Sequence, residues 1–351
     1  LSEKDKQMTL NLPSCSDKLI WDIWLTSYQL PALTVADELG LFSYLDDEPA
    51  TALSVARKFF LSFRGTESLL GILTSSGFLV QQNEKFCLTQ VSRNFLLPDS
   101  PFYKGGLLQM VRHDMPTHEG VKEALLNDPF STTTSVRKDK PNTDNWKKGD
   151  FGPEWAKKTT HVMHCASFPG AMGLANQGVF KNVKKLLDVG GGSGCFSIAA
   201  ANFNPDIKCT VLEWPQVCSE AERYVKEFRL EKRIDTYGAD MFKDPWPGGN
   251  DGIFFANIFH DWMRPECLEL GRKAFENLPK NGQIFIYDQL LNDTKDGPLA
   301  VSSFTMLMMR AAQGKMFSSQ ELTDILMECG FVDISIAPVY DYFSLVKARK
   351  P

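Results

Sequence analysis

The run from Lys184 to Ala201 constrains this chain more than any other stretch. Leu186-Leu187-Asp188-Val189 suits a short buried strand, Gly190-Gly191-Gly192-Ser193-Gly194 a tight turn, and the small residues from Cys195 to Ala201 a helix packed closely on a sheet. Glycines where a strand turns into a helix let the backbone approach a ligand with no Cβ in the way. A carboxylate, Glu213, ends the next apolar run, Cys209-Thr210-Val211-Leu212. At about twenty residues beyond the turn, it stands where it can accept hydrogen bonds from both hydroxyls of a ribose.

A nicotinamide dinucleotide would require G-x-G-x-x-G, and that pattern fails. Counted from Gly190 the third glycine falls on Cys195, and counted from Gly191 the second falls on Ser193. Asp188, at the strand end, is badly placed beside a pyrophosphate and well placed beside a cationic ligand. Leu187 to Gly194 instead resembles the nucleoside-binding loop of class I S-adenosylmethionine (SAM)-dependent methyltransferases.

At 351 residues the chain is long enough for two domains, and its 43% hydrophobic content with mixed charge describes a soluble globular protein. A net charge of −5 gives no electrostatic case for nucleic acid. No apolar run reaches the roughly 18 residues of a membrane span, and no secretory leader is visible. The eight cysteines are scattered singly, with no C-x-x-C pair and no His/Cys metal spacing, so no metal site is expected. They read as small core residues of a cytoplasmic protein.

From Asp17 a helical pattern begins in which Leu19, Ile20, Trp21, Ile23, Trp24 and Leu25 are too apolar for a solvated surface. Together with Tyr28 they predict a patch buried in a second copy of the chain. Residues 51–60 and 64–76 read as helices, and 78–80 with 85–88 as a hairpin, which is the order of a winged helix-turn-helix. Such a unit invites a DNA-binding reading. Its second helix nevertheless carries Glu67, Ser68, Leu69, Leu70 and Ile72 with a single Arg64, and the first 110 residues hold nine basic against twelve acidic side chains. Phosphate neutralisation needs several Lys or Arg on one face, so the unit reads as an interaction domain. Lys138 to Gly149 reads as a polar loop, and Trp155 to Ala175 as helix. From Val183 the pattern alternates: strand 185–189, helix 193–203, strand 208–212, helix 215–228, strands 233–237 and 252–256, helix 264–277, strand 282–287, helix 318–328 and a closing hairpin over 332–347. Interleaved strands and helices predict a parallel sheet, and the hairpin an antiparallel edge. The expected division is a winged-helix domain over 1–100, a helical connector over 101–175 and a Rossmann-like α/β domain over 176–351.

Further chemistry falls at strand ends. Gly238-Ala239-Asp240-Met241-Phe242 follows the third strand, where a carboxylate and a thioether could hold an adenine edge and face. Asn257 and then His260-Asp261-Trp262 follow the fourth strand, Asp288 ends the fifth, and Met163 to Ser167 lies on the helix entering the domain. With the glycine turn, Glu213 and the winged-helix unit, these residues resemble the small-molecule O-methyltransferases, which include plant caffeate, animal hydroxyindole and bacterial natural-product enzymes. The similarity spans essentially the whole chain from about Trp21.

The resemblance implies a mostly parallel seven-stranded sheet, a homodimer joined through the N-terminal domain, and SAM as cofactor with S-adenosylhomocysteine as product. It implies cofactor contacts from Asp188, Gly190, Gly192, Gly194, Glu213, Trp214, Asp240, Met241, Phe242, Ser167 and Asn257. Met163, His113, Asp261 and a helix wall of Ser303, Met306 and Arg310 would face a small-molecule acceptor. Arg310 has two readings, an internal ion pair to Asp114, Glu119 or an acid of another subunit, or a pair with a carboxylate or phosphate on the acceptor. His260 would be the general base, oriented by Asp288. Plant members place glutamates at both flanking positions; here the first is Asp288 and the second falls at Met316, so the imidazole is expected to lose one orienting partner.

Methyl transfer from a sulfonium is an in-line displacement, so aligning the reactants can supply about 7–11 kcal/mol. A hydroxyl near pKa 10 needs a base tuned near neutrality, and imidazole fits. His118, His161 and His164 read as packing or surface groups. Two other readings stay open: methylation at carbon or nitrogen, or another use of SAM, on the same fold, and a SAM-responsive winged-helix regulator.

Overall fold

The computed structural model describes residues 13–126 and 148–351, and the chain divides into two compact units between Arg112 and His113. Most of the polar loop expected at 138–149 lies outside the described residues.

In the first unit, α1 (Lys18–Thr26), α2 (Gln29–Leu39) and α3 (Leu41–Asp47) lead into the winged-helix order: β1 (Ala50–Thr51), α4 (Ala52–Phe59), α5 (Phe63–Ser75), β2 (Leu79–Gln82), β3 (Lys85–Leu88), α6 (Gln90–Phe95) and α7 (Gly105–His113). Local chemistry sets the boundaries. Gly40 ends α2 in the left-handed region at φ 72°. Thr51 caps α4 by accepting from the N–H of Ser54, and Ser62 caps α5 by accepting from that of Gly65. Leu41, Phe42, Leu45, Val55, Leu70, Leu73, Leu79 and Leu88 close the core against the three-stranded sheet β1-β3-β2. No residue of α1 joins it: Leu19, Ile20, Ile23 and both tryptophans are exposed.

The second unit opens with α8 (His118–Leu126) and α9 (Pro153–Asn176), then alternates through β4 (Lys185–Val189), α10 (Cys195–Phe203), β5 (Lys208–Glu213), α11 (Pro215–Glu227), β6 (Ile234–Gly238), β7 (Gly252–Ala256), α12 (Arg264–Asn277), β8 (Gln283–Gln289), α13 (Leu299–Ala311), α14 (Ser319–Glu328), β9 (Val332–Tyr340) and β10 (Phe343–Arg349). The sheet order is β6-β5-β4-β7-β8-β10-β9, parallel except for β10, which runs antiparallel to both neighbours. Chain order reverses between β4 and β7, and in open α/β sheets the crevice at such a point receives the ligand. Leu186, Leu187, Val189, Ile253, Phe254, Phe255, Ile284, Phe285 and Ile286 are all essentially solvent-free, which fixes these strands in mid-sheet. The segment expected as a separate connector is shared, with α7 running to the boundary and α9 packing on α10 and α11 within the second unit. Among the described residues no helix is long and apolar enough to cross a membrane.

Candidate active site

Residues at or just past the ends of β4, β5, β6, β7 and β8 build the site. At β4 the chain turns through Gly190, Gly192 and Gly194 at φ 68°, 55° and 72°, a conformation side chains rarely adopt. The turn is tied down by Gly190 N–H donating to Leu212 O and Gly194 N–H donating to Gly191 O, each at 2.8 Å. A Cβ on Gly191 would sit 2.7 Å from the Asp188 carboxyl carbon, whereas Gly192 faces open space.

Asp188 is fully buried. Its Oδ2 accepts from Ser197 Oγ at 2.7 Å, and its Oδ1 has no hydrogen-bond partner among the described residues. Burial pushes its pKa up to about 6 against the opposing Ser197 bonds. Glu213, at the end of β5, is also buried, and its carboxylate accepts from the backbone N–H of Trp214 at 2.6 Å and from that of Gly192. Burial again dominates and raises it to about 7. Two desolvated carboxylates, one with an orphan oxygen, flanking an open glycine turn fit a ligand bearing positive charge and vicinal hydroxyls. Those are the features of SAM, so the residues present fit that cofactor.

Met241 Sδ lies beside Gly190, and the Phe242 ring meets Trp262 edge-on at 4.7 Å. Lys273 holds their turn by donating to the carbonyls of Met241, Phe242 and Asp244 at 2.7–2.9 Å. Asp240 spends its carboxylate inside that turn, on the N–H groups of Phe242 and Lys243 and on the Lys243 ammonium. Trp214 packs over Gly149, where a Cβ would come within 2.8 Å of the indole. Asn257, at φ 57°, brings its Nδ2 to 3.4 Å from Ser167 Oγ, joining the end of β7 to α9.

His260 lies in a short 3₁₀ turn after β7 and is buried. Its Nδ1–H donates to Asp288 Oδ1 at 2.7 Å, and its Nε2 lies 3.6 Å from Asp261 Oδ1. Burial pulls the imidazole pKa down, but the charges of Asp288 and Asp261 and the Asp288 hydrogen bond outweigh it and lift the value to about 9. The expected loss of a second acid is only half the story. Met316 is indeed buried in an apolar cluster with Leu291, Val301, Met308 and Ala312, while Asp261 brings a second carboxylate to the other ring nitrogen. A Cβ on Gly314 would fall 2.1 Å from the His260 carbonyl oxygen, so this segment can cross the His260 turn only as glycine.

The wall helix meets the imidazole through a residue that sequence reasoning did not single out. The residue of α13 that meets the imidazole is Phe304, edge-on at 5.6 Å, and Val301 and Met308 share its buried side. Ser303 and Met306, expected on the working face, are exposed. Arg310 Nη2 forms an ion pair with Asp114 Oδ1 at 2.8 Å, the internal-pair alternative. Met163 is half-exposed on α9, and His113 is exposed at the end of α7.

Residues 157–332 match the O-methyltransferase domain, and residues 21–98 match the O-methyltransferase dimerisation domain. The 3-hydroxy-5-methyl-1-naphthoate 3-O-methyltransferase of Streptomyces sahachiroi is 30% identical over 90% of both chains. The chain belongs to the O-methyltransferase family. It is therefore a SAM-dependent methyltransferase with a dimerisation domain at its N-terminal side. The L-tyrosine C(3)-methyltransferase of Streptomyces lavendulae is 28% identical, over 85% of this chain and 82% of its own. Among solved structures, human N-acetylserotonin methyltransferase in complex with SAM superposes with a TM-score of 0.79 at 22% identity, covering 97% of this chain and 99% of the other.

Proposed function

We propose that this family member methylates a hydroxyl of a small aromatic or conjugated acceptor, with His260 as the base that takes the hydroxyl proton. The observation that carries the reading is the buried His260–Asp288 pair at 2.7 Å, beside the strand end that bears the glycine turn. SAM supplies an activated methyl group on a sulfonium. Asp188 and Glu213 hold the nucleoside end, with Gly190, Gly192 and Gly194 giving the backbone room to close on it. Met241, Phe242 and Trp214 supply apolar contact, and Ser167 with Asn257 completes the cofactor wall. Asp288 fixes the imidazole through Nδ1, leaving Nε2, 3.6 Å from Asp261 Oδ1, as the nitrogen that takes the acceptor proton. Phe304 and the deformable Met163 and Met306 side chains suit a flat acceptor. Arg310, already paired to Asp114, is not offered as a receptor for an acidic group.

A second reading concerns the atom methylated. A phenolate is nucleophilic at oxygen and at its ring carbon, and one relative is a C(3)-methyltransferase of tyrosine. Fragmentation of the methylated product separates the two. We also infer a homodimer in which α1 is buried by a second copy. The test of the base is His260→Ala, expected to lower turnover by about 10²–10⁴-fold with S-adenosylhomocysteine affinity unchanged. Near-normal turnover would mean that alignment alone drives transfer, or that the acceptor arrives ionised.

A further inference from the structure

His164 lies on α9 between Met163 and Ser167 and reads from sequence as a packing residue. Its imidazole is buried, and its Nδ1 lies 2.9 Å from the Oγ of Ser193, a buried residue of the glycine turn. The ring stacks on Tyr224 of α11, with centroids 4.1 Å apart and planes 12° from parallel, and on Phe168 at 4.9 Å. The Tyr224 hydroxyl in turn meets His161 Nδ1 at 3.0 Å. Stacking of this kind leaves the imidazole little freedom to swing away from Ser193.

Ser193 occupies a telling position. On one side is Gly192, whose N–H supports the Glu213 carboxylate; on the other is Gly194, whose N–H closes the turn onto Gly191. Gly190, Gly192 and Gly194 have no side chains to anchor them, and glycine loses more freedom on ordering than any other residue. A side-chain clamp on Ser193 removes that freedom before ligand arrives, and preorganisation of this kind tightens binding.

We propose that His164 is a positioning residue for the cofactor site, holding the glycine turn through Ser193 Oγ so that Gly192 and Glu213 are set to receive the nucleoside. The inference rests on the glycine turn being the SAM site and goes beyond it, since the imidazole itself need not touch the ligand. The helix that carries Met163 and Ser167 thereby also sets the cofactor turn.

Calorimetric titration with S-adenosylhomocysteine, alongside melting temperature, tests this on full-length protein. His164→Phe keeps an aromatic ring for Tyr224 and Phe168 and deletes Nδ1, and Ser193→Ala deletes the other partner. Each should weaken binding by about 3–10-fold, the worth of one neutral hydrogen bond. The double variant should bind no worse than the weaker single, and His164→Asn, which returns a polar atom near Nδ1, should recover part of the loss. Wild-type affinity in Ser193→Ala, additive losses in the double variant, or a lower melting temperature at unchanged affinity would overturn the proposal. Gly192→Val tests the underlying reading separately. If it still binds, the turn is not the cofactor site; if it alone loses binding while Ser193→Ala and His164→Phe do not, only the role of His164 falls.

Discussion

His260 lies between the carboxylates of Asp288 and Asp261, so its charge state decides whether it can act as a base. With its pKa raised to about 9, the imidazole becomes free to take a proton as pH rises toward that value, so turnover should climb with pH over that range. Its pairing therefore stabilises the fold fully below the ordinary histidine range, and that contribution is lost as pH rises through about 9. NMR titration of the His260 ring should report a value near 9. In Asp288→Asn, where burial remains and the Asp288 charge is gone, the value should drop. An unchanged titration in that variant would show that Asp288 does not set the charge. Glu213 supplies a second pH signature. A ligand hydroxyl donating to its carboxylate favours the charged form, so binding releases a proton held in the free protein up to about pH 7. S-adenosylhomocysteine should bind more tightly as pH rises from 5.5 to 7.5 and then level off, and flat affinity across that range would contradict the role given to Glu213. At this scale the sequence gives the placement of Asp188, Glu213, His260 and Asp288 at or just past strand ends, because chemistry and spacing coincide there. It was opaque where a contact joins distant segments: Phe304 on His260, Gly314 under its carbonyl, and His164 on Ser193 each depend on packing that no local spacing encodes.

Elements were easier to read than contacts, because period and punctuation are local. The strands at 185–189 and 252–256 and the helix at 264–277 fall on the residues their patterns predict, and Gly40 stops α2 as a left-handed glycine should. The wall helix shows the limit. It spans Leu299–Ala311 and includes the three residues expected on it, but an apolar helix offers more than one face, and the buried one is Val301, Phe304 and Met308 rather than the face of Ser303, Met306 and Arg310. The element with the plainest unmet need is α1, whose tryptophans and isoleucines stand in water although the adjoining core is complete. A contiguous apolar face of that kind marks an interface, and the dimerisation domain begins within it at residue 21. Light scattering at micromolar concentration should therefore give twice the chain mass, and removal of residues 1–33 should give monomeric or insoluble protein. A well-behaved monomer of the intact chain would remove α1 from the interface.

For the whole molecule, the strand–turn–helix at Leu186 to Ala201 fixes one sheet, and the reversal of strand order between β4 and β7 opens a crevice beside it. Everything the proposed chemistry uses sits at or just past the ends of β4, β5, β6, β7 and β8 or on the helices α9 and α13. The winged-helix order of the first unit is retained. The most direct test of methyl transfer with His260 as base is mass spectrometry of a hydroxylated aromatic library incubated with methyl-labelled SAM. The predicted result is an acceptor carrying one labelled methyl group on oxygen, S-adenosylhomocysteine formed in equal amount, and product formation about 10²–10⁴-fold slower with His260→Ala. Product formed at the same rate by the His260→Ala enzyme, or label found on carbon or nitrogen alone, would contradict it.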